Sequence, residues 1–363
     1  MLAVLTSINI FAFSLLAAFL LTRKLGPPTA RYLLVAFFVS WIGNLLEAIG
    51  LLSGFFAEYP RLAFWGSSLI WAQGPLLYLF CRAMTMADFR LRWQDLGHFV
   101  PAVLVLALTQ LSYQNLSSDE QQMVLEASQV SAALPVILAT LLFYVYVSTY
   151  LFFSWRSIQR YQDRLRREYA NLEQYSMQWL FVMLGSFALV LLIAALQNTV
   201  RFTMPSFLYL AQVAVFGAGL LFASRLLLHF MAHEPVHFLS VASFGERQNR
   251  TDWSEPKGRL QEFMKQEQAY LDPDLSLAGL AERLEMEPRA LSTLINQGFA
   301  QSFFDYINAQ RIAYACERLR STTAKERNIT EIMYESGFNS KSSFNTAFRK
   351  YTDMTPSQYR KSG

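Results

Sequence analysis

The chain has 363 residues, of which 53% are hydrophobic and 16% charged, with a formal net charge of +4 and a mean hydropathy of +0.23. This composition excludes an ordinary soluble protein of two domains and points to a membrane protein with a soluble end. Two cysteines, Cys81 and Cys316, give neither a disulfide framework nor metal-ligand spacing, and no cofactor is expected.

Residues 2 to 22 form an apolar run long enough for a hydrocarbon core of ~30 Å. Arg23 and Lys24 follow it and no basic residue precedes it, the reverse of a cleaved signal peptide, so it reads as a first span with its N-terminus outside. Further spans are expected at roughly 31 to 52, 62 to 81, 97 to 112, 131 to 154, 178 to 198 and 205 to 228, seven in all. The fourth is the weakest, because its strongly apolar part is short and Gly97 and Pro101 lie at its start. Charge supports it. Loops one, three and five carry 11 Lys and Arg, while loops two, four and six carry only Arg61 and Arg201. This alternation places the odd loops and the C-terminus in the cytoplasm. Trp155 and Trp179 fall where spans five and six meet the inner interface.

Inside the spans, Glu47 is the lone acidic residue, one helical turn from Asn44. A carboxylate at such depth needs a partner. Gln73, Gln197, Asn198 and Gln212 lie at comparable depth, with Arg201 in the outer loop just above. One reading has Glu47 locking helices together. The other has Asn44, Glu47 and Arg201 lining an outward-facing site for a small ligand.

Loop five, from Trp155 to Leu180, holds Arg156, Arg160, Arg164, Arg166 and Arg167 and reads as helical extensions of its two spans. Its arginines either rest on anionic headgroups and set topology, or the hairpin touches the soluble domain or a second protomer and transmits a signal. A linker from about 229 to 256 contains His229, His233 and His237. Pro235 breaks the shared face, so interfacial side chains account for them better than a metal site does.

The segment 257–363 has helical signals throughout. Ser276 caps a helix with Leu277, Leu280, Ala281 and Leu284 on one stripe, and Pro288 opens a second that buries Leu291, Leu294 and Ile295. Its outward residues are Arg289, Ser292, Thr293 and Asn296. A long helix over 303–319 follows. Asn328 and Glu331 form a capping-box-like start to another short helix, and Gly337 suits a left-handed turn. Ser340 then caps a helix with Phe344, Ala347, Phe348 and Tyr351 on its core face and Lys341, Ser342, Asn345, Thr346 and Arg349 on the other. Short hydrogen-bonding side chains mixed with cations suit a major groove. Charge is polarised: residues 337–363 carry five Lys and Arg against one Asp. Phosphate attraction therefore centres there, on Arg349, Lys350 and Arg360.

The stretch GFNSKSSFNTAFRKYTDMTPSQYR, from Gly337 to Arg360, resembles the signature of the AraC/XylS family of bacterial transcription regulators, and the resemblance runs back to about Lys257. Together with the apolar spans and their loop charges, it gives an all-α protein: a seven-helix transmembrane sensor over 1–228, a juxtamembrane linker over 229–256, and, as the resemblance implies, a DNA-binding domain over 257–363 with helix-turn-helix units at about 276–296 and 329–351. Base contacts would come from Arg289, Ser292, Thr293, Asn296, Lys341, Ser342, Asn345 and Thr346. Thr293 and Thr346 stand where relatives often place arginine, which favours thymine methyl contact over guanine readout. Met333 replaces a usual alanine and is expected to open the second unit slightly.

The implied function is a one-component regulator of the bacterial inner membrane, with double-stranded DNA, the bilayer, an unknown small ligand and a second copy of itself as partners. Alternatives are a transporter or membrane enzyme with an appended regulatory domain, and a passive anchor for DNA. No Ser/His/Asp set or metal-ligand cluster in the sequence favours an enzyme. Uptake or turnover of a substrate would separate the first alternative, and effector-dependent transcription the second.

Overall fold

The computed structural model describes residues 1–22, 27–86, 89–128, 134–171, 177–232, 253–320 and 327–362. Among these there are helices and no strand, only an isolated antiparallel bridge between Tyr169 and Ser276. The chain divides into two compact units, the first comprising 1–159 and 177–238 and the second 160–176 and 239–363.

The first unit is built on α1 (Leu2–Thr22), α2 (Pro28–Leu52), α3 (Gln73–Thr85), α4 (Val100–Gln114), α5 (Ser118–Ser128), the greater part of α6 (Leu134–Glu168), α7 (Gln178–Thr203) and α8 (Leu208–Ala232). Six helices among the described residues are long and apolar enough to cross a membrane: Leu2–Thr22, Pro28–Leu52, Trp93–Gln114, Val136–Glu168, Gln178–Arg201 and Leu208–Ala232. The expected fourth span is therefore one of the six, and the expected third is not. Residues 65–85 form consecutive helical pieces, Trp65–Ser68, a tightened turn at Leu69–Ala72, and α3. This run carries Gln73, Gly74 and Pro75 at its middle, and nearly all of α3 is buried. A helix enclosed by protein has no need of the uniform apolarity that lipid demands.

Aromatic rings hold α1, α2, α7 and α8 together. Phe13 meets Trp41 edge-on at 4.7 Å, Phe37 meets Phe187 at 5.2 Å, and Trp41 lies 5.7 Å from Phe222. Such pairs contribute ~0.5 to 1.5 kcal/mol beyond their buried area. Asn9 donates from Nδ2 to the carbonyl of Phe216 at 3.1 Å, tying α1 to α8. At Gly66 any side chain is excluded, since a Cβ would lie 2.1 Å from the Gly43 carbonyl oxygen. That close approach brings the Ser67 N–H to Glu47 Oε2 at 2.7 Å.

The second unit holds α9 (Ser254–Glu267), α10 (Leu277–Arg283), α11 (Pro288–Thr293, widening into a π-helical turn at Leu294–Gly298), α12 (Phe303–Arg320), α13 (Ile329–Glu335), α14 (Lys341–Thr352) and α15 (Pro356–Ser362). The long α12 serves two cores. Its first half puts Phe303, Tyr306 and Ile307 among Leu260, Leu280, Leu291 and Ile295. Its second half puts Ile312, Ala315 and Leu319 among Ile332, Phe338, Phe344 and Phe348. Met333 is enclosed in this second core at 1% exposure, so the larger side chain is accommodated by packing.

Candidate nucleic-acid interface

Local chemistry explains why two pairs of short helices form. Ser276 accepts the Gly279 N–H at 3.1 Å and so caps α10, and Pro288 begins α11. Asn328 accepts the Thr330 N–H at 3.0 Å and caps α13. Ser340 accepts the Ser343 N–H at 3.3 Å and caps α14. Between α13 and α14, Gly337 has φ +81°. A Cβ there would sit 2.8 Å from the Leu271 carbonyl oxygen and 2.9 Å from that of Tyr270, so both backbone conformation and space require glycine.

The junction of the two cores contains a residue the periodicity did not flag. Arg311 is 1% exposed, donates from Nε to the Tyr270 carbonyl at 2.7 Å and from Nη2 to the Asp272 carbonyl at 2.8 Å, and lies 5.6 Å from the Phe338 ring. Burial pushes its guanidinium down to about 10, with the charges of Asp272 and Asp274 acting the other way, so it stays protonated at neutral pH. It fastens the loop before α10 to α12. No signal short of the tertiary contact distinguishes it from the exposed arginines of the same helix.

The polar face of α14 is free to bind. Lys341, Ser342, Asn345, Thr346 and Arg349 are exposed, and among the described residues their side chains make no hydrogen bond. The corresponding residues of α11 differ. Arg289 is exposed, but Ser292, Thr293 and Asn296 are only partly so. Thr293 Oγ1 donates to the Arg289 carbonyl at 2.8 Å, and Asn296 Nδ2 donates to the Ser292 carbonyl at 2.9 Å. These local bonds leave the Thr293 hydroxyl oxygen as an acceptor and the Asn296 carboxamide oxygen free to accept.

Lys350 and Arg360 are not equivalent to Arg349. Lys350 Nζ pairs with Asp305 Oδ1 at 2.6 Å, and the Tyr351 hydroxyl donates to the Asp305 carbonyl at 2.9 Å. Burial alone would raise the Asp305 carboxyl, but hydrogen bonds from Lys350 and Ser302 and the charges of Lys350 and Arg166 outweigh it and hold it below the ordinary carboxylate range. Arg360 is half-buried, with Nε and Nη2 shielded from solvent and without an acceptor among the described residues.

Within the second unit, the segment between α6 and α7 also contributes to the core. Ala170 is 1% exposed and belongs to the core of α9, α10, α11 and the first half of α12. Its N–H donates to the Leu275 carbonyl at 3.4 Å, and Asn308 Nδ2 donates to its carbonyl at 3.5 Å, both long bonds. Tyr169 bridges to Ser276, the cap of α10.

Of the three residues expected at an outward site, Asn44 and Glu47 lie one turn apart on α2, where Glu47 Oε2 accepts the Ser67 N–H, and Arg201 is half-exposed on α7. Trp179 stacks on His229 at 5.2 Å, while His233 and His237 lie outside the described residues.

Residues 280–362 match the family described as "Helix-turn-helix domain". Over 91 residues the chain is 33% identical to an uncharacterized HTH-type transcriptional regulator of Staphylococcus aureus strain COL, covering 25% of this chain and 12% of that protein. It is 32% identical over 92 residues to the uncharacterized transcriptional regulatory protein YesN of Bacillus subtilis strain 168, covering 25% and 24%. The chain thus spans less than a quarter of the length of these relatives. Among solved structures, the C-terminal domain of AraT, a response regulator from Geobacillus stearothermophilus, is 33% identical over 30% of this chain and 84% of that one, with a TM-score of 0.26. The C-terminal domain of the two-component response regulator yesN from Fusobacterium nucleatum is 33% identical over 30% and 99%, also with a TM-score of 0.26.

The C-terminal segment is a helix-turn-helix domain. More particularly, it belongs to the AraC type, the DNA-binding domain of transcription regulators of that family.

Proposed function

We propose that the chain is a one-component membrane-bound transcription regulator, in which a seven-span sensor controls a domain that reads promoter DNA with two helix-turn-helix units, α10–α11 and α13–α14. The observation that carries this reading is Ala170. A residue of the loop between two apolar helices forms part of the hydrophobic core of the DNA-binding half. A passive anchor has no use for such a contact, because a flexible tether suffices to hold DNA near a membrane.

In this reading the helical run 65–85 is the third span, the odd loops and the C-terminal domain are cytoplasmic, and α14 enters the major groove. Lys341, Ser342, Asn345 and Thr346 read base edges, with Arg349 on phosphate. Arg289 leads α11 in the adjacent groove, with Ser292, Thr293 and Asn296 secondary. Lys350, paired with Asp305, acts mainly in holding α14 to α12, while Arg360 joins Arg349 on phosphate.

Reporter fusions after residues 24, 90, 165 and 240 are expected to be cytoplasmic and those near 57 and 120 external. A cytoplasmic signal at 120 would overturn the topology. Coupling is tested by Ala170→Glu in the full chain, with transcription read from a promoter the protein occupies. The expected result is output changed at least fivefold with membrane abundance unchanged, while the segment 253–363, which lacks residue 170, still binds DNA. Unchanged output would refute transmission through this contact.

A further inference from the structure

Within the first unit, α7 and α8 enclose a cavity of about 220 Å³. The two helices run in opposite directions, so the start of α7 lies beside the end of α8. At that end stand Trp179 and His229, Met183, Arg225 and Leu226 come next, and Ser186 and Phe222 lie deepest. The Arg225 guanidinium therefore stands among mostly apolar side chains.

The lining carries a guanidinium charge. Arg225 is the one Lys or Arg of α8, seven residues before the helix ends, or ~10 Å inward at ~1.5 Å per residue. It is exposed, and among the described residues no carboxylate, carbonyl or ring is set against it. A guanidinium at such depth in a bilayer demands a counter-charge, and the lining contains no Asp or Glu. A guanidinium set among apolar side chains matches an anionic head carrying an alkyl chain.

We propose that this cavity binds an anionic phospholipid of the cytoplasmic leaflet, its phosphate on Arg225 and part of an acyl chain against Met183, Phe222 and Leu226. The assignment to that leaflet rests on the topology proposed above. The position gives the lipid a regulatory lever. The segment bearing Ala170 leads into α7, and α8 leads into the segment preceding the DNA-binding domain. Occupancy clamps the ends of both helices.

The test uses the full chain in neutral detergent, titrated with phosphatidylglycerol or phosphatidylcholine of identical acyl chains, with retained lipid counted by native mass spectrometry. Phosphatidylglycerol is expected to be retained at least tenfold better. Arg225→Gln should abolish that preference and Arg225→Lys restore much of it, while Met183→Trp, which fills the cavity beside Arg225, should reduce retention of both lipids. Inorganic phosphate at millimolar concentration should not displace phosphatidylglycerol, and decanoate should compete weakly. Equal retention of the two lipids by wild type, or an undiminished preference in Arg225→Gln, overturns the site. Full displacement by phosphate alone overturns the lipid assignment. Should Arg225→Gln be recovered unfolded, Arg225→Lys and Met183→Trp decide the matter by the same readings. Because lipid retention is read in detergent and regulation is read on transcription, failure of either leaves the other standing.

Discussion

Gly337→Ala would test the architecture of the DNA-binding domain at its tightest point. Gly337 has φ +81°, and for an alanine this left-handed conformation costs ~1 to 2 kcal/mol. The new Cβ would also stand 2.8 and 2.9 Å from two backbone carbonyl oxygens and 3.1 Å from Arg311 Nε. Carbonyl oxygens of a packed loop cannot rotate away as a side chain can. Forcing a methyl into such a site adds ~1 to 3 kcal/mol, for a total of ~2 to 5 kcal/mol. In a domain of this size each kcal/mol shifts Tm by ~4 to 8 °C, so Tm should fall by about 10 °C or more. The assay is thermal unfolding of residues 253–363 followed by circular dichroism. Gly258→Ala is the control: it lies inside α9 with nothing within 4 Å of its Cβ, and should stabilise by up to ~1 kcal/mol. A Tm for Gly337→Ala within about 3 °C of wild type would refute the reasoning, as would an equal loss at Gly258.

Other outcomes follow from the same geometry. Arg311→Met keeps most of the packing volume but deletes two charge-assisted hydrogen bonds, leaving the Tyr270 and Asp272 carbonyls without their donor; a loss of ~3 to 5 kcal/mol in chemical denaturation is expected. Lys341→Ala and Asn345→Ala should each cost ~1 to 3 kcal/mol at particular base pairs, whereas Arg349→Ala should weaken binding to all sequences and flatten its salt dependence; identical sequence profiles for Lys341→Ala and Arg349→Ala would contradict the division of roles. Asp305 has a depressed carboxyl, so its contribution is present above the ordinary carboxylate range and is lost as pH falls through its lowered folded value. Asp305→Asn should therefore destabilise by ~1 kcal/mol at pH 7, a small effect because Lys350 is half-exposed, and the gap from wild type should close under acid.

Much of the DNA-binding domain is legible in the chain because its signals are local. Ser276, Asn328 and Ser340 cap helices through side chains acting within three residues, and Pro288 and Gly337 impose backbone conformations of their own. What sequence reading missed depends on distant partners. Arg311 looks like any helical arginine until the carbonyl of Tyr270, 41 residues away in the chain, arrives beside it. Lys350 reads as a free cation until Asp305, 45 residues away, claims it. The capping box at Asn328 is half realised, since the cap forms but no return bond from Glu331 is made among the described residues. In the apolar half, hydropathy located α1, α2, α6, α7 and α8 because their lengths and compositions answer to a bilayer. Across 65–85 the helix is broken into shorter pieces, and burial by neighbouring helices, invisible to a hydropathy window, accommodates Gln73, Gly74 and Pro75. The basic composition of the loop holding Arg156 to Arg167 suits either headgroups or the soluble domain, and nothing in it singles out Ala170 as the residue that enters the core.

The claim that this chain is a membrane-bound regulator is tested most directly by genome-wide mapping of DNA crosslinked to the intact protein isolated from the membrane fraction. The account predicts a small set of discrete sites sharing one sequence motif, lost in a Lys341→Ala, Asn345→Ala double variant that is still recovered from membranes at normal abundance. Absence of enriched sites in the membrane fraction, or enrichment found only with a soluble C-terminal fragment, would contradict it.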